Sequence, residues 1–497
     1  MSMGGSWAKS FLESSRTLWV IGAVILCLFA LTNLPWQLDD YDQAQQAFTS
    51  FEMIKEGHWF FQRTPHELIA QKPPLVGWAS AAIFAITRSW DIAWRLPSLL
   101  AAVILAIVLF RAANAAYGAA AALIALSAFG LNLLSVRLAT LVRTDMPLAL
   151  VIFLMGLLIW QKIRTRELWK PHERWEMFAL LTTSMFIKGP MVFALLLPSI
   201  VLFQWLAGKQ RTTNAWCGFW PWIASFALFS IWVICGIKFV PGFYEDVVMK
   251  EFLGRFSETV HRPQPILYYV PHLLQKFAPW SLLILALGAL SFPRTRAGIR
   301  NLFRQANPDI LWLVCWSLCG FVVMSLVPSK RVDRIYPVVP PLCLLLAAQI
   351  DATSRIRQMG DRVLQWTAAA LLFSILFTGS YVFGKVLSDY RDNANHLEVF
   401  SRAVNEQAAA HHWHYEIIAG GAGGSEGMLL YLQRPHFIKP DEAVEEWNRK
   451  ALDALVVPKN KISELKGELQ QAAISPLQSV DRKTYPHVGY VLVTRRS

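Results

Sequence analysis

Charged residues are scarce in this chain, and their scarcity excludes a soluble protein. Only 16% of the 497 residues are Asp, Glu, Lys or Arg, whereas 55% are hydrophobic. A typical globular chain is roughly 25% charged. The charge is missing from repeated apolar runs whose lengths approach those needed to cross the roughly 30 Å hydrocarbon core of a bilayer. The composition therefore predicts a polytopic membrane protein and excludes disordered and fibrous chains.

Cysteine is also sparse, and its placement excludes a disulfide framework. The six cysteines lie within or at the edges of apolar runs, where a thiol behaves as a small hydrophobe. We expect no redox or zinc site from them. Lys and Arg give a net charge of +13 but form no continuous basic face. Nucleic acid is therefore not an expected partner, and part of this charge suits anionic membrane lipids.

Apolar runs predict about 11 to 13 transmembrane helices in an all-α membrane domain. The eleven clearest runs are 18–34, 94–110, 117–131, 147–160, 176–189, 190–206, 216–237, 278–292, 310–327, 336–350 and 363–384. The run 73–87 is short and begins with two prolines, so it either spans or lies in the interface. If it does not span and the N-terminus is cytoplasmic, the basic clusters at 162–174, 209–211, 294–304 and 355–362 face the cytoplasm. This arrangement obeys the positive-inside rule.

The same orientation predicts two domains, with the charged loops of the first on the outer side of a bacterial inner membrane. Residues 1–386 form the transmembrane domain, and its first outer loop, about 35–93, carries interfacial helices. Residues 387–497 have short apolar runs between helical charge patterns, which predicts a small extracytoplasmic α/β domain. Its glycine-rich turn lacks a nucleotide-binding order of residues, so no nucleotide site is expected there.

An acidic cluster follows the first span in the sequence Asp39-Asp40-Tyr41-Asp42. Carboxylates this close repel one another, so at least one is expected to have a raised pKa unless a cation or a metal neutralises the cluster. A carboxylate of this kind can serve as a general base near neutral pH. The structural alternative is that Asp39 or Asp40 caps the following helix.

Single cations and one further carboxylate lie in the other outer turns. Lys72 precedes two prolines that fix the backbone, so its ammonium is expected at a set depth, where it suits a lipid phosphate. Asp145 stands at the outer start of a span. The remaining outer cations are Lys188, Arg262, Lys330 and Arg334. For any one of these residues, solvation at the interface is the simpler interpretation.

The order of these motifs resembles that of the C-type glycosyltransferases, in particular the bacterial aminoarabinose transferase and protein mannosyltransferase branch. The motifs are the acidic pair, Lys-Pro-Pro-Leu, Arg-Leu-Pro-Ser at 95–98, Arg-x-Asp-Met, Lys-Gly-Pro, His-Arg before Tyr-Tyr-x-Pro, and Ser-Lys before Tyr-Pro. The resemblance covers residues 18–350. It implies an enzyme that moves a sugar, with inversion, from a polyprenyl (undecaprenyl) phosphate donor to an extracytoplasmic lipid A-type glycolipid, glycan or protein hydroxyl.

The resemblance also implies roles for individual residues. Asp39 and Asp40 correspond to the acidic pair at the reaction centre, and Asp145 corresponds to the carboxylate before the fourth span. The cations near the donor phosphate correspond to Lys72, Lys188, Arg262, Lys330 and Arg334. The sequence identifies no cofactor. A divalent cation on Asp39, Asp40 and Asp145 stays open, because the carboxylate density suits one and no ligand spacing demands it.

Two departures from the aminoarabinose pattern leave the acceptor and the base open. Tyr41-Asp42-Gln43 replaces the usual x-Arg-Tyr, and Gln71 replaces a glutamate before Lys-Pro-Pro. Asp42 is therefore a third candidate base. The alternative functions are a transporter or flippase of lipid-linked sugars, which requires charges within the spans, and a structural partner without catalysis, which does not require the acidic pair.

Overall fold

The computed structural model describes residues 3–38, 40–207, 214–254, 263–291, 307–355, 360–392, 395–420, 426–465, 467–475, 477 and 488–496. Asp39 and Arg262 of the predicted site lie outside these ranges. The chain divides into two compact units, which are described separately below. The first unit is Met1–Thr32, Gln71–Val76 and Arg95–Phe383, and the second is Asn33–Ala70, Gly77–Trp94 and Gly384–Ser497.

Helices account for most of the described chain up to residue 391. They are α1 Met3–Glu13, α2 Ser15–Leu31, α3 Tyr41–Glu56, α4 Leu75–Thr87, α5 Trp90–Tyr117, α6 Ala119–Gly130, α7 Leu133–Leu138, α8 Asp145–Thr165, α9 Pro171–Lys188, α10 Met191–Ala207, α11 Trp220–Phe239, α12 Tyr269–Lys276, α13 Trp280–Ser291, α14 Pro308–Leu326, α15 Val339–Ser354 and α16 Gly360–Arg391. A π-helix at Tyr244–Leu253 and 3-10 helices at Ile266–Tyr268 and Val332–Val338 complete this part.

Six helical segments in the described chain are long and apolar enough to cross a membrane. They are α5, α8, α11, α14, the 3-10 helix Val332–Val338 together with α15, and the segment that begins at Gly360. Two bent pairs pass the same test as broken spans, α1 with α2 at 62° and the helices of 266–276 with α13 at 104°. α4, α6 and α10 are shorter apolar helices. Every one of the eleven predicted runs falls on one of the helices.

The first unit packs its helices closely around α8. The backbone of α8 approaches α14 at Gly156, whose carbonyl accepts a hydrogen bond of 3.1 Å from the indole of Trp312. A Cβ at Gly156 would lie 2.1 Å from the ring of Trp316, so only glycine fits at this contact. α6 is buried along most of its length and packs against α15. Burial on this scale fixes the start of α8 and the end of α9, where Asp145 and Lys188 lie.

The second unit combines the first loop with the C-terminal part of the chain. Its later elements are α17 His396–His411, α18 Glu426–Leu432, α19 Pro440–Asn448, a 3-10 helix Lys459–Lys461 and α20 Ile462–Leu465. Its strands are β1 Tyr415–Ile417, β2 Ala454–Pro458, β3 Ala472–Ile474 and β4 Tyr490–Arg495. Within this unit α3 packs against α18, and α18 packs against α17.

The strands form one mixed sheet in the order β1-β2-β4-β3. β1 pairs with β2 in parallel, and the other two pairings are antiparallel. The parallel pair requires a crossover, which α18 and α19 supply. Trp447 of α19 is fully buried with Leu455 and Val491 against one face of the sheet. The predicted fold class, a polytopic helical protein with a small C-terminal α/β region, is confirmed, while the predicted boundary at residues 386–387 stays a prediction.

Candidate active site

The centre of the site in the first unit is an ion pair between Asp145 and Lys188. Asp145 begins α8 and Lys188 ends α9, which stops at Gly189 with φ of 74°. Lys188 Nζ lies 2.5 Å from Asp145 Oδ1, and each side chain is only 8% exposed. A carboxylate at a helix N-terminus and an ammonium at a helix C-terminus both interact favourably with the helix dipoles. The charges of Arg143 and Lys72 also act on Asp145, so Lys72 belongs to the same cluster.

A second buried ion pair joins the segment before α8 to the segment before α15. Arg143 Nη1 donates to Asp333 Oδ2 at 2.8 Å, and both side chains are under 9% exposed. Arg137 Nη1 approaches the other oxygen at 3.9 Å. The backbone carbonyl of Arg143 accepts a hydrogen bond of 3.3 Å from Ser98 Oγ, which gives the Ser of the Arg-Leu-Pro-Ser motif a structural role. The pair fixes where Asp145 stands relative to residues 330–334.

Sequence reasoning missed Asp333. It lies between Arg331 and Arg334, and only the cations of that turn were singled out. A signal was present, because one carboxylate among several cations at the end of an apolar run is a natural partner for an arginine in another turn between apolar runs. Arg143 is the arginine of the Arg-x-Asp-Met motif, and the sequence indicates no separate role for it.

Lys330 and Arg334 are both held by backbone carbonyls. Lys330 is 7% exposed, and its Nζ donates to the carbonyl of Gln264 at 3.0 Å. Burial lowers the pKa of the Lys330 ammonium below its ordinary value. Arg334 Nη1 donates to the carbonyl of Ser329 at 2.6 Å and to its Oγ at 2.9 Å. These contacts fix two cations in one turn. Arg262, which stands two residues before Gln264, lies outside the described residues.

The acidic cluster of the first loop lies in the second unit. Asp40 is the N-cap of α3, and its Oδ1 accepts a hydrogen bond of 3.0 Å from the backbone N–H of Asp42. The cap that the sequence offered as the structural alternative is therefore formed. Asp42 lies in the first turn of α3, where a negative charge stabilises the helix. Asp39 lies outside the described residues.

A buried glutamate in α3 was also missed. Glu52 is 2% exposed and is hydrogen-bonded through Oε1 to Nδ1 of His58. Burial raises the pKa of the Glu52 carboxyl, and the neighbouring His58 partly offsets that rise. The alternation of apolar and polar residues in this segment indicated an amphipathic helix, but it gave no sign that this glutamate faces inward.

The described residues bring together Lys72, Asp145 and Lys188 in the first unit, with Arg143 and Asp333 beside them. Nowhere in the described ranges do three His, Cys, Asp or Glu side chains gather closely enough to hold a metal ion. Carboxylates and fixed cations in such a cluster can bind and orient a phosphate-linked substrate.

Comparisons of the sequence with known proteins identify similar glycosyltransferases. The family model of dolichyl-phosphate-mannose-protein mannosyltransferases matches residues 71–235. An undecaprenyl phosphate-alpha-4-amino-4-deoxy-L-arabinose arabinosyl transferase of Proteus mirabilis is 26% identical over 69% of this chain and 62% of its own. One of Pectobacterium atrosepticum is 26% identical over 72% and 63%. The chain thus spans about three fifths of the length of these curated relatives.

Solved structures extend the likeness to almost the whole chain. ArnT of Cupriavidus metallidurans bound to undecaprenyl phosphate has a TM-score of 0.70 at 17% identity, over 97% of this chain and 99% of its own. The chain is related to the C-type glycosyltransferases, through their aminoarabinose transferase branch. The resemblance inferred from the motifs is confirmed. The apolar helices and these relatives indicate a multi-pass protein of the bacterial inner membrane. An oligosaccharyltransferase of Archaeoglobus fulgidus shares the fold with a TM-score of 0.54 over 93% of this chain and 70% of its own.

The Arg143–Asp333 pair generates a prediction about stability. Asp333→Asn keeps the side-chain volume but leaves the buried Arg143 without its counter-charge. Removing one partner of a buried pair costs roughly 3–5 kcal/mol, so we expect a clear fall in the unfolding temperature of the purified protein in detergent.

Asp351→Asn is the matched control, because its partner Arg355 is 74% exposed. Exposed pairs contribute about 0–1 kcal/mol, so this variant is expected to unfold near the wild-type temperature. If both substitutions lower the unfolding temperature equally, the Arg143–Asp333 pair contributes no more to stability than an exposed pair.

Proposed function

We propose that this protein is an inverting glycosyltransferase that moves a sugar from a polyprenyl phosphate donor to an acceptor hydroxyl outside the cytoplasm. The observation that carries the proposal is the nearly buried Asp145–Lys188 ion pair, on which the charge of Lys72 also acts. The cations of residues 330–334, which backbone carbonyls hold in place, support it. A departing phosphate develops negative charge, and fixed cations stabilise that charge in the transition state.

The proposed reaction needs one base and one anion site. The base takes the proton of the acceptor hydroxyl, the acceptor oxygen bonds to the anomeric carbon from the face opposite the phosphate, and the polyprenyl phosphate leaves with the electron pair. We assign the base to the acidic pair Asp39 and Asp40. Asp145 already accepts a hydrogen bond from Lys188, so we assign it to orienting the donor. The cations Lys72, Lys188, Arg262, Lys330 and Arg334 are assigned to the phosphate.

The relatives indicate which substrates to test first. Their names specify undecaprenyl phosphate linked to 4-amino-4-deoxy-L-arabinose as the donor. We propose an undecaprenyl-phosphate-linked sugar as the donor class and a lipid A-type glycolipid, a glycan or a protein hydroxyl as the acceptor. Gln71 and Asp42 depart from the aminoarabinose pattern. If another sugar is the substrate, these two residues are the first to examine as determinants of sugar specificity.

The proposed orientation puts the N-terminus in the cytoplasm and the acidic pair with the C-terminal domain on the periplasmic side. The basic segments 162–174 and 355–362 then face the cytoplasm, as the positive-inside rule requires. A polyprenyl phosphate headgroup in the outer leaflet would thus meet the cations of the outer turns.

The acidic cluster generates the test of the mechanism. General bases contribute roughly 10²–10⁴-fold to rate, so Asp39→Asn or Asp40→Asn is expected to abolish measurable transfer with normal expression. We expect Asp145→Asn to be severely impaired and Asp42→Asn to keep a sizeable fraction of the activity. The measurement is transfer from undecaprenyl phosphate aminoarabinose to lipid A by the purified protein.

Asparagine preserves volume, so a loss of transfer reports on charge and basicity. If only Asp42→Asn is inactive, the base is Asp42. If all the carboxylate variants transfer normally, the proposed mechanism is wrong. Movement of the lipid-linked sugar across liposomes without transfer would support the flippase alternative instead.

Lys72 generates a separate prediction about the donor. Lys72→Ala removes a point charge from the phosphate but little apolar area. We expect the KM for the donor to rise while the unfolding temperature stays near that of the wild type. Lys385→Ala is a suitable control, because that lysine pairs with Asp389 in its own helix. Unchanged donor kinetics for Lys72→Ala would remove Lys72 from the site.

The orientation is tested with reporters fused at Ser497. Alkaline phosphatase, which folds only outside the cytoplasm, is expected to be active there, and a fluorescent protein that requires the cytoplasm is expected to be dark. The opposite result would place the C-terminal domain in the cytoplasm and would make residues 73–87 a full span.

A further inference from the structure

Residues 36–38, which lead directly into the acidic pair, are held by one side chain of the C-terminal part of the chain. The backbone N–H of Leu38 donates to the hydroxyl of Tyr431 at 3.0 Å. The same hydroxyl donates to the carbonyl of Trp36 at 3.4 Å. One phenol oxygen thus bridges two backbone groups, and Tyr431 stands near the end of α18.

A side chain of the loop makes the reciprocal contact with α17. Gln37 Oε1 accepts a hydrogen bond of 2.9 Å from the backbone N–H of Leu397, in the first turn of that helix. The first N–H groups of a helix have no partner inside it, so Gln37 supplies one of the missing acceptors. Gln37 Nε2 also lies 3.4 Å from Nδ1 of His396. Gln37 is only 7% exposed, and its hydrogen bonds compensate for the burial of this polar side chain.

Close backbone packing reinforces these hydrogen bonds. A Cβ at Gly427 in α18 would lie 2.3 Å from the carbonyl oxygen of Leu38, which leaves no room for a side chain. Leu38 itself is 1% exposed. Farther along the loop, His66 Nε2 lies 3.2 Å from Oε1 of the buried Glu426. The contacts with α18 therefore hold the loop on both sides of α3.

We propose that the C-terminal domain positions the acidic pair for catalysis, with Tyr431 as the principal positioning residue. This inference rests on the proposed function, because it assumes that Asp39 and Asp40 act at the reaction centre. The bonded segment ends at Leu38, and Asp40 begins α3. Releasing the backbone at Leu38 would therefore displace Asp40, two residues farther along the chain. A misplacement of about 1 Å in a catalytic group can cost on the order of 10²-fold in rate.

The test is the variant Tyr431→Phe in the full-length protein in detergent. The ring is kept, while the bridge from the hydroxyl to Leu38 and Trp36 is lost. We expect kcat for transfer from undecaprenyl phosphate aminoarabinose to fall roughly 10-fold or more, with the KM for the donor changed less than about twofold, because the donor cations are untouched. Hydrogen exchange at the amide of Leu38 is expected to accelerate.

Tyr415→Phe is the matched control. Its hydroxyl donates to Asn405 Oδ1 at 2.7 Å, a contact made between β1 and α17. The control removes an equivalent phenol hydroxyl from the same domain, and kcat and exchange at Leu38 are expected to stay near wild-type values. Gly427→Ala, which forces the carbonyl of Leu38 to move, is expected to reproduce the loss caused by Tyr431→Phe.

The outcomes separate this inference from the proposed function. Wild-type kcat in Tyr431→Phe, or an equal loss in Tyr415→Phe, would overturn the positioning role. If the wild-type protein transfers no sugar, the proposed function is wrong, and so is the catalytic role of the contact between Tyr431 and Leu38. The exchange measurement then still decides whether Tyr431 holds Leu38, because it requires no turnover.

Discussion

Burying charge at the ends of membrane helices is the constraint on which this structure depends. A charged side chain at the bilayer centre costs about 2.5–3.5 kcal/mol on insertion scales, and the protein meets this cost by pairing its charges where helices begin and end. Asp145 and Lys188 join the start of α8 to the end of α9. Arg143 and Asp333 join the segment before α8 to the segment before α15. Removing one partner of such a buried pair is strongly destabilising, whereas the intact pair adds little net stability. The pairs therefore mainly specify which helix ends meet.

The helices and the order of the functional motifs could be predicted from the sequence, but the pairing of the charges could not. Apolar runs determine the depth of a residue along a span, which is why Asp145 and Lys188 were correctly expected at the ends of apolar helices. They do not determine the direction that a side chain takes around the helix axis. Asp145 and Lys188 are 43 residues apart, and Arg143 and Asp333 are 190 residues apart. No periodicity links positions so distant, and Asp333 was overlooked because its neighbours are cations.

The acidic cluster shows a different limit of sequence reasoning. The sequence allowed Asp40 to be a helix cap, a base or both, and the cap is present in the structure. These roles are compatible, because the cap engages Oδ1 of a carboxylate that has two oxygens. Capping also fixes the backbone direction at the start of α3, so the structural role would also serve the catalytic role that we propose for Asp40. No sequence pattern identified Gln37 as a contact residue, because its partners at residues 396 and 397 belong to a different part of the chain.

The contacts of residues 36–38 give a physical reason for the C-terminal domain to pack with the first loop in one compact unit. A loop beside a bilayer must find hydrogen-bond partners for its backbone within the protein, because lipid tails supply none. Ordering each of its residues also costs roughly 1–2 kcal/mol in conformational entropy. The hydroxyl of Tyr431 and the first turn of α17 supply partners at the point where the chain turns into the acidic pair. The backbone groups in the interior of a transmembrane helix are already paired along the helix, so they offer a loop no partners. The C-terminal part of the chain offers both kinds of partner here, a phenol hydroxyl from α18 and an N–H group at the start of α17.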